Sequence, residues 1–312
     1  MAVNRGVVLV LRALGLGDLL TAVPALRGLR RAFPEHRLLL AAPRALTGML
    51  PLIPEVDRLH PVAGLDAFSW REPPPDVAVN LHGRGPQSVA ALRSSGARTV
   101  LTHAHPAWPD LAGPPWREDQ HEVHRWCRML DHYGIAADPA DLALPASGDP
   151  LLPGSVIVHP GASRAARRWP AERFAKVARW AADRGEEVVI TGSGAERLLA
   201  GRVAELAGLP PDSVWAGATD PCRLARLVHA AKLVVCGDTG MAHLATAYRT
   251  PSVVLFGPVA PKHWGPPDEP RHVPLWRGEV GDTFADRPDL GLLRLSPDEV
   301  VDAAEALLTG VG

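Results

Sequence analysis

The stretch Cys236-Gly237-Asp238-Thr239-Gly240-Met241-Ala242-His243-Leu244-Ala245 decides how the chain is read. Apolar runs flank it, Leu233-Val234-Val235 before and Ser252-Val253-Val254-Leu255-Phe256 after. The order is strand, tight polar turn, helix, strand. Gly237 and Gly240 permit backbone shapes that side chains resist, and Asp238 and Thr239 are good helix N-caps. A helix that starts at the end of a strand offers free N–H groups and the positive end of its dipole to an anion. The run is therefore either an ordinary capped strand-to-helix turn or one wall of a phosphate or diphosphate pocket.

The same alternation extends outward. Before the stretch, strands are predicted over 156–159 and 187–191, with helices over 170–184, 195–207 and 221–229. In the first half, Val7–Leu11 is a buried strand, and Leu19, Val23, Leu26 and Leu29 then recur at helical spacing. Pro24 lies inside that helical pattern and is expected to kink or break it. Further strands are predicted over 37–41, 77–81 and 99–101, and a helix over 121–134 that stops at Gly134. Strands alternating with helices predict α/β architecture, parallel sheets covered on both faces. A Pro-, Gly- and Asp-rich segment over 145–154 separates the two runs. The expected organisation is two Rossmann-like domains, 1–150 and 151–312, with ligands in a cleft between them at the carboxyl ends of the strands. The final helix, over 297–308, is expected to pack back on the first domain.

Composition narrows the class. With 312 residues, 46% hydrophobic and 21% charged, the chain is ordinary for a globular protein and long enough for two domains. A net charge of -1 gives no argument for nucleic acid as a partner, and membrane contact is expected to be peripheral at most. The three cysteines form no CxxC pair, which fits free thiols in a reducing cytoplasm. No signal peptide and no span of about 18 apolar residues is read, so a cytoplasmic location is expected. Lysine occurs only at Lys176, Lys232 and Lys262, so nearly all positive charge is arginine.

Four further motifs bear on chemistry. Leu14-Gly15-Leu16-Gly17-Asp18 follows the first strand, and its glycines let backbone approach a ligand. It is not GxGxxG, so a nicotinamide site is a poor reading. Asp18 is either a helix cap, worth about 1 kcal/mol, or a carboxylate acting as general base. His159-Pro160-Gly161-Ala162-Ser163-Arg164-Ala165-Ala166-Arg167-Arg168 ends a strand with three arginines, which suit phosphate oxygens or form a solvated basic loop. In Gly192-Ser193-Gly194-Ala195-Glu196, Glu196 either favours the helix start or accepts from ribose hydroxyls. The segment from Phe256 to Pro266 reads as a rigid loop that closes a pocket or merely connects. The pairs His103/His105 and His121/His124 lack zinc-site spacing, and no metal is expected.

Together these motifs resemble glycosyltransferase family 9, the ADP-heptose:lipopolysaccharide heptosyltransferases. The resemblance rests on Leu-Gly-Leu-Gly-Asp with Pro24-Ala25-Leu26, His159 to Ser163 with Arg168-Trp169-Pro170, Gly194-Ala195-Glu196, Asp238-Thr239-Gly240 with His243-Leu244-Ala245, and Phe256-Gly257-Pro258 with Trp264-Gly265-Pro266. It implies a GT-B fold whose first domain holds the acceptor and whose second holds a nucleotide-sugar. It implies inverting, metal-independent transfer of a sugar, heptose from ADP-heptose, to a hydroxyl of a glycan, glycolipid or small natural product. Asp18 would be the base. Arg167, Ser163, Arg164 and the N–H groups of Thr239 and Gly240 would hold the diphosphate. Glu196 would meet the ribose. Gly17, Asp238 and His243 match the remaining signature. The family usually has Lys where this chain has Arg167. A nucleotide-sugar epimerase and a decayed nucleotide-sugar-binding protein are the competing readings. No organic cofactor is implied beyond the donor itself.

Overall fold

A computed structural model describes residues 5–146 and 148–310. It divides into two compact units, Met1–Leu142 and Ala143–Gly312. The expected division at 150 lies a few residues inside the second unit.

In the first unit β1 (Val7–Leu11) is buried along its whole length, as a central parallel strand must be. The helical pattern that follows is broken in two, α1 (Leu16–Thr21) and α2 (Val23–Ala32). Pro24 sits in the first turn of α2, where its missing N–H costs nothing, and the chain breaks at Ala22. Then come β2 (Arg37–Ala42), β3 (Arg58–Pro61), β4 (Val77–Asn80), α3 (Gln87–Ser94), β5 (Thr99–Leu101) and α4 (Glu122–His132). Gly134, at φ 73°, takes the left-handed conformation that ends α4.

All pairings are parallel, in the order β3-β2-β1-β4-β5, with Leu11 opposite Ala41 on one side and Asn80 on the other. Val7, Leu9, Leu11, Leu39, Ala41, Ala78 and Leu92 form one side of the core. The chain fills one half of this sheet from β1 and then crosses to β4. The topological switch point therefore lies between β1 and β4, where such sheets open a ligand crevice at their carboxyl ends.

The second unit runs β6 (Val156–His159), α5 (Ala171–Asp183), β7 (Val188–Ile190), α6 (Arg197–Ala207), α7 (Pro221–Ala230), β8 (Leu233–Gly237), α8 (Gly240–Tyr248), β9 (Ser252–Leu255), α9 (Pro261–Trp264), β10 (His272–Leu275), α10 (Leu290–Leu293) and α11 (Pro297–Thr309). Its sheet is again parallel, in the order β10-β9-β8-β6-β7. That order differs from the first, and its switch point lies between β6 and β8. The buried face of α11, Val300 and Ala304, belongs to this unit's core with Phe174, Val235 and Val253. The rigid loop expected from Phe256 to Pro266 contains the single turn α9.

Candidate functional site

Each switch point is chemically equipped. In the first unit the turn after β1 delivers Asp18 as the third residue of α1. Both readings of this residue meet there. Its Oδ2 accepts from the Gly15 N–H at 3.1 Å, closing the helix start, while Oδ1 lies 3.4 Å from Nη2 of Arg12. The side chain is 27% exposed. Burial raises its pKa above the ordinary 3.8; Arg12 opposes that rise, and Glu122 adds to it. A carboxylate with strengthened proton affinity that still reaches solvent is suited to general-base work.

Arg12 was visible in the sequence only as an interruption of an apolar run, yet it organises this corner. Its side chain is fully buried at the end of β1. Nε donates to the Asp18 carbonyl at 2.9 Å, and Nη1 to the Leu81 carbonyl. Nη2 donates to Glu122 Oε1 at 2.9 Å and Thr21 Oγ1 at 3.1 Å. From the loop after β4, His82 accepts from the Ala13 N–H through Nδ1 at 3.2 Å. That bond fixes the proton on Nε2. Burial and the Arg12 charge push the pKa of His82 down to about 4, so the ring is neutral. Gly17, half-buried, sits in the turn beside Asp18.

In the second unit the loops after β6 and β8 meet. Nη1 of Arg167 lies 3.3 Å from Oδ2 of Asp238. Asp238 is 4% exposed, and Arg167 Nε is buried without a hydrogen-bond partner among the described residues. Thr239 caps α8 with its hydroxyl, accepting from the Met241 N–H at 3.3 Å, so Gly240 opens the helix. A guanidinium beside a helix N-terminus is an arrangement that holds anionic oxygens. Ser163 and Arg164 stand exposed in the same loop as Arg167, and the Arg164 guanidinium lies 5.0 Å from the Phe284 ring centroid. His243, on α8, meets Trp264 edge-on at 6.0 Å.

Glu196 occupies the adjoining β7 turn. Its Oε2 accepts from both the backbone N–H and the hydroxyl of Ser193, at 2.8 Å each. Burial works against its charge, but the Ser193 bonds, His159 and Arg168 outweigh it and hold the pKa down. The carboxylate lies directly against Gly161, where no Cβ fits. The structure thus brings Arg167 against Asp238, next to Thr239 and Gly240 at the start of α8, sets Glu196 against Gly161 after β6, leaves Ser163 and Arg164 exposed, and places Asp18 and Gly17 in the other unit. Among the described residues no three His, Cys, Asp or Glu side chains gather as a metal site, and no helix is long and apolar enough to cross a membrane.

The profile of glycosyltransferase family 9 (heptosyltransferase) matches residues 117–279. A curated relative, lipopolysaccharide heptosyltransferase 1 of Pseudomonas aeruginosa, is 29% identical over 299 residues, covering 83% of this chain and 80% of its own. Two solved structures have this fold. The family 9 glycosyltransferase of Veillonella parvula gives a TM-score of 0.80 at 20% identity, covering 99% of both chains. The ADP-heptose LPS heptosyltransferase II of E. coli gives 0.77 at 22%, covering 97% of this chain and 98% of that one. The chain is a member of glycosyltransferase family 9, with two Rossmann-like units of the GT-B kind.

Proposed function

We propose that this enzyme transfers heptose from ADP-heptose to a hydroxyl of a glycan or small-molecule acceptor, with inversion and without a metal ion. The observation that carries the reading is the state of Asp18: a partly exposed carboxylate of raised proton affinity at the switch point of its sheet. The first unit takes the acceptor and the second the donor. Asp18 removes the proton from the acceptor hydroxyl as its oxygen bonds to the anomeric carbon. The bond from that carbon to the diphosphate breaks on the opposite face, and its electron pair leaves on the diphosphate oxygen. Arg167 and the N–H groups of Thr239 and Gly240 hold the growing charge. Ser163 and Arg164 flank the phosphates, and Glu196 accepts from the ribose hydroxyls. Asp238 orients Arg167, His243 lines the sugar side, and Gly17 lets backbone close on the substrate.

A thermal-shift screen of nucleoside diphosphates and their sugars, run in EDTA, tests the donor side. ADP at a hundred times its Kd stabilises the fold by about 2.7 kcal/mol; a screen in which none binds overturns the reading. Mass spectrometry of products formed in a host extract identifies the acceptor. Asp18→Asn binds ADP as wild type does and forms no product, whereas unchanged turnover removes Asp18 from the role of base.

A further inference from the structure

A base held by a guanidinium faces a contradiction. An arginine beside a carboxylate orients it, but it also favours the ionised form and so weakens it as a proton acceptor. When Asp18 takes a proton, a buried Arg12 with no other countercharge becomes an isolated cation inside the protein, which is costly.

Glu122 resolves this. It is the first residue of α4 and 8% exposed. Both its oxygens are occupied: Oε1 accepts from Arg12 Nη2 at 2.9 Å and Trp126 Nε1 at 3.0 Å, and Oε2 from Arg125 Nε at 3.0 Å. Nη2 of Arg12 has two hydrogens and three acceptors: Glu122 at 2.9 Å, Thr21 at 3.1 Å and Asp18 at 3.4 Å. The base holds the longest of the three. Trp126 lies under the guanidinium at 5.0 Å and closes the far side. Arg12 and Glu122 face Asp18, from β1 and α4; behind them Arg125 faces Glu122 and His82 faces Arg12. With His82 neutral, two guanidiniums and two carboxylates balance.

We propose that Glu122 is a positioning residue for the base: it carries the permanent countercharge of Arg12, so the guanidinium orients Asp18 without binding it as a sole ion-pair partner. This rests on Asp18 being the base. No proton moves through Glu122, whose two oxygens hold Arg12, Trp126 and Arg125.

The test is a carbon-13 titration of the aspartate carboxyls in the intact protein, the Asp18 signal being assigned by its loss in Asp18→Asn. Glu122→Gln keeps the shape and the Arg12 bond but removes the charge. It lowers the Asp18 midpoint by about one pH unit or more, a tenfold loss of proton affinity. Glu122→Asp restores most of the midpoint. Arg125→Gln frees Glu122 for Arg12 and moves the midpoint up; it decides the matter if Glu122→Gln does not fold. A midpoint that stays at the wild-type value in the folded variants overturns the proposal, as does a downward shift in Arg125→Gln. Turnover of ADP-heptose separates the two readings. Asp18→Asn that still transfers sugar removes the base and leaves the titration result standing. Unmoved midpoints beside an inactive Asp18→Asn remove only the part given to Glu122.

Discussion

Gly161 and Glu196 are in such close contact that the Cα of the one leaves no room for a Cβ beneath the carboxylate of the other. The Glu196 carboxylate cannot swing away cheaply, since two hydrogen bonds from Ser193 pin it at 2.8 Å. Gly161→Ala therefore displaces the carboxylate from its place beside the loop after β6. ADP affinity is expected to fall by about ten- to a hundredfold, the worth of one hydrogen bond to a charged group. Tm falls as well, because the displaced carboxylate gives up its bonds from Ser193. Calorimetric titration with ADP, set beside a melting curve, checks both halves; loss of stability with affinity intact contradicts the placement of Glu196.

Arg167 reaches Asp238 across the β6–β8 switch point at 3.3 Å. Arg167→Met is expected to lower transfer by about a hundredfold or more, the scale of a lost donor to developing charge. Arg167→Lys keeps the charge and loses the planar fork, so it falls between the two. Rates under saturating donor order the three proteins; equal rates for Met and Lys mean that charge at this position is irrelevant.

Asp18 predicts a gain in stability on its removal. Its folded pKa lies above the ordinary 3.8, mainly through burial. The folded protein thus binds that proton more tightly than the unfolded chain, and ionised Asp18 costs stability at neutral pH. Asp18→Asn should melt above wild type at pH 7, and the gap should close as pH falls through the raised value towards 3.8. Melting curves across that range check the sign; a variant less stable at pH 7 refutes it.

Buried histidines predict acid lability. Burial holds His103 at about 3 and His272 at about 4, against 6.5 in an unfolded chain. Between these values the unfolded chain takes up protons that the folded protein refuses. Their contribution is whole above pH 6.5 and is lost as pH falls through the window, about 2 kcal/mol for each at pH 5. His103 packs between Trp116 and Trp126 at 5.0 and 5.8 Å, and neither ring nitrogen has a hydrogen-bond partner among the described residues. His103→Phe should therefore flatten the loss between pH 7 and pH 5 in urea unfolding. An unchanged slope assigns the acid sensitivity elsewhere.

The alternating pattern was legible because buried parallel strands are continuous apolar runs; Val7–Leu11 and Leu233–Gly237 declare themselves. The strand Arg58–Pro61 did not. It lies at a sheet edge, is only partly buried, and carries Arg, His and Pro. The helix Gln87–Ser94 escaped for a similar reason, since few of its residues meet the core. At the candidate site, residues in turns after strands were readable because glycines and caps mark such turns locally. Arg12 and Glu122 were not, because their meaning is a contact across 110 positions. A lone arginine ending an apolar run and a glutamate opening a helix look ordinary until the fold brings them together.

That separation bears on how the chain matures. Strands β1 to β5 can pair once residue 101 has been made, but Arg12 then lacks both its Glu122 countercharge and the Trp126 ring that closes over it. On the ribosome, the first unit is expected to remain unsettled until α4 emerges and docks. Its last helix, rather than its last strand, closes the order in which the nascent unit becomes native.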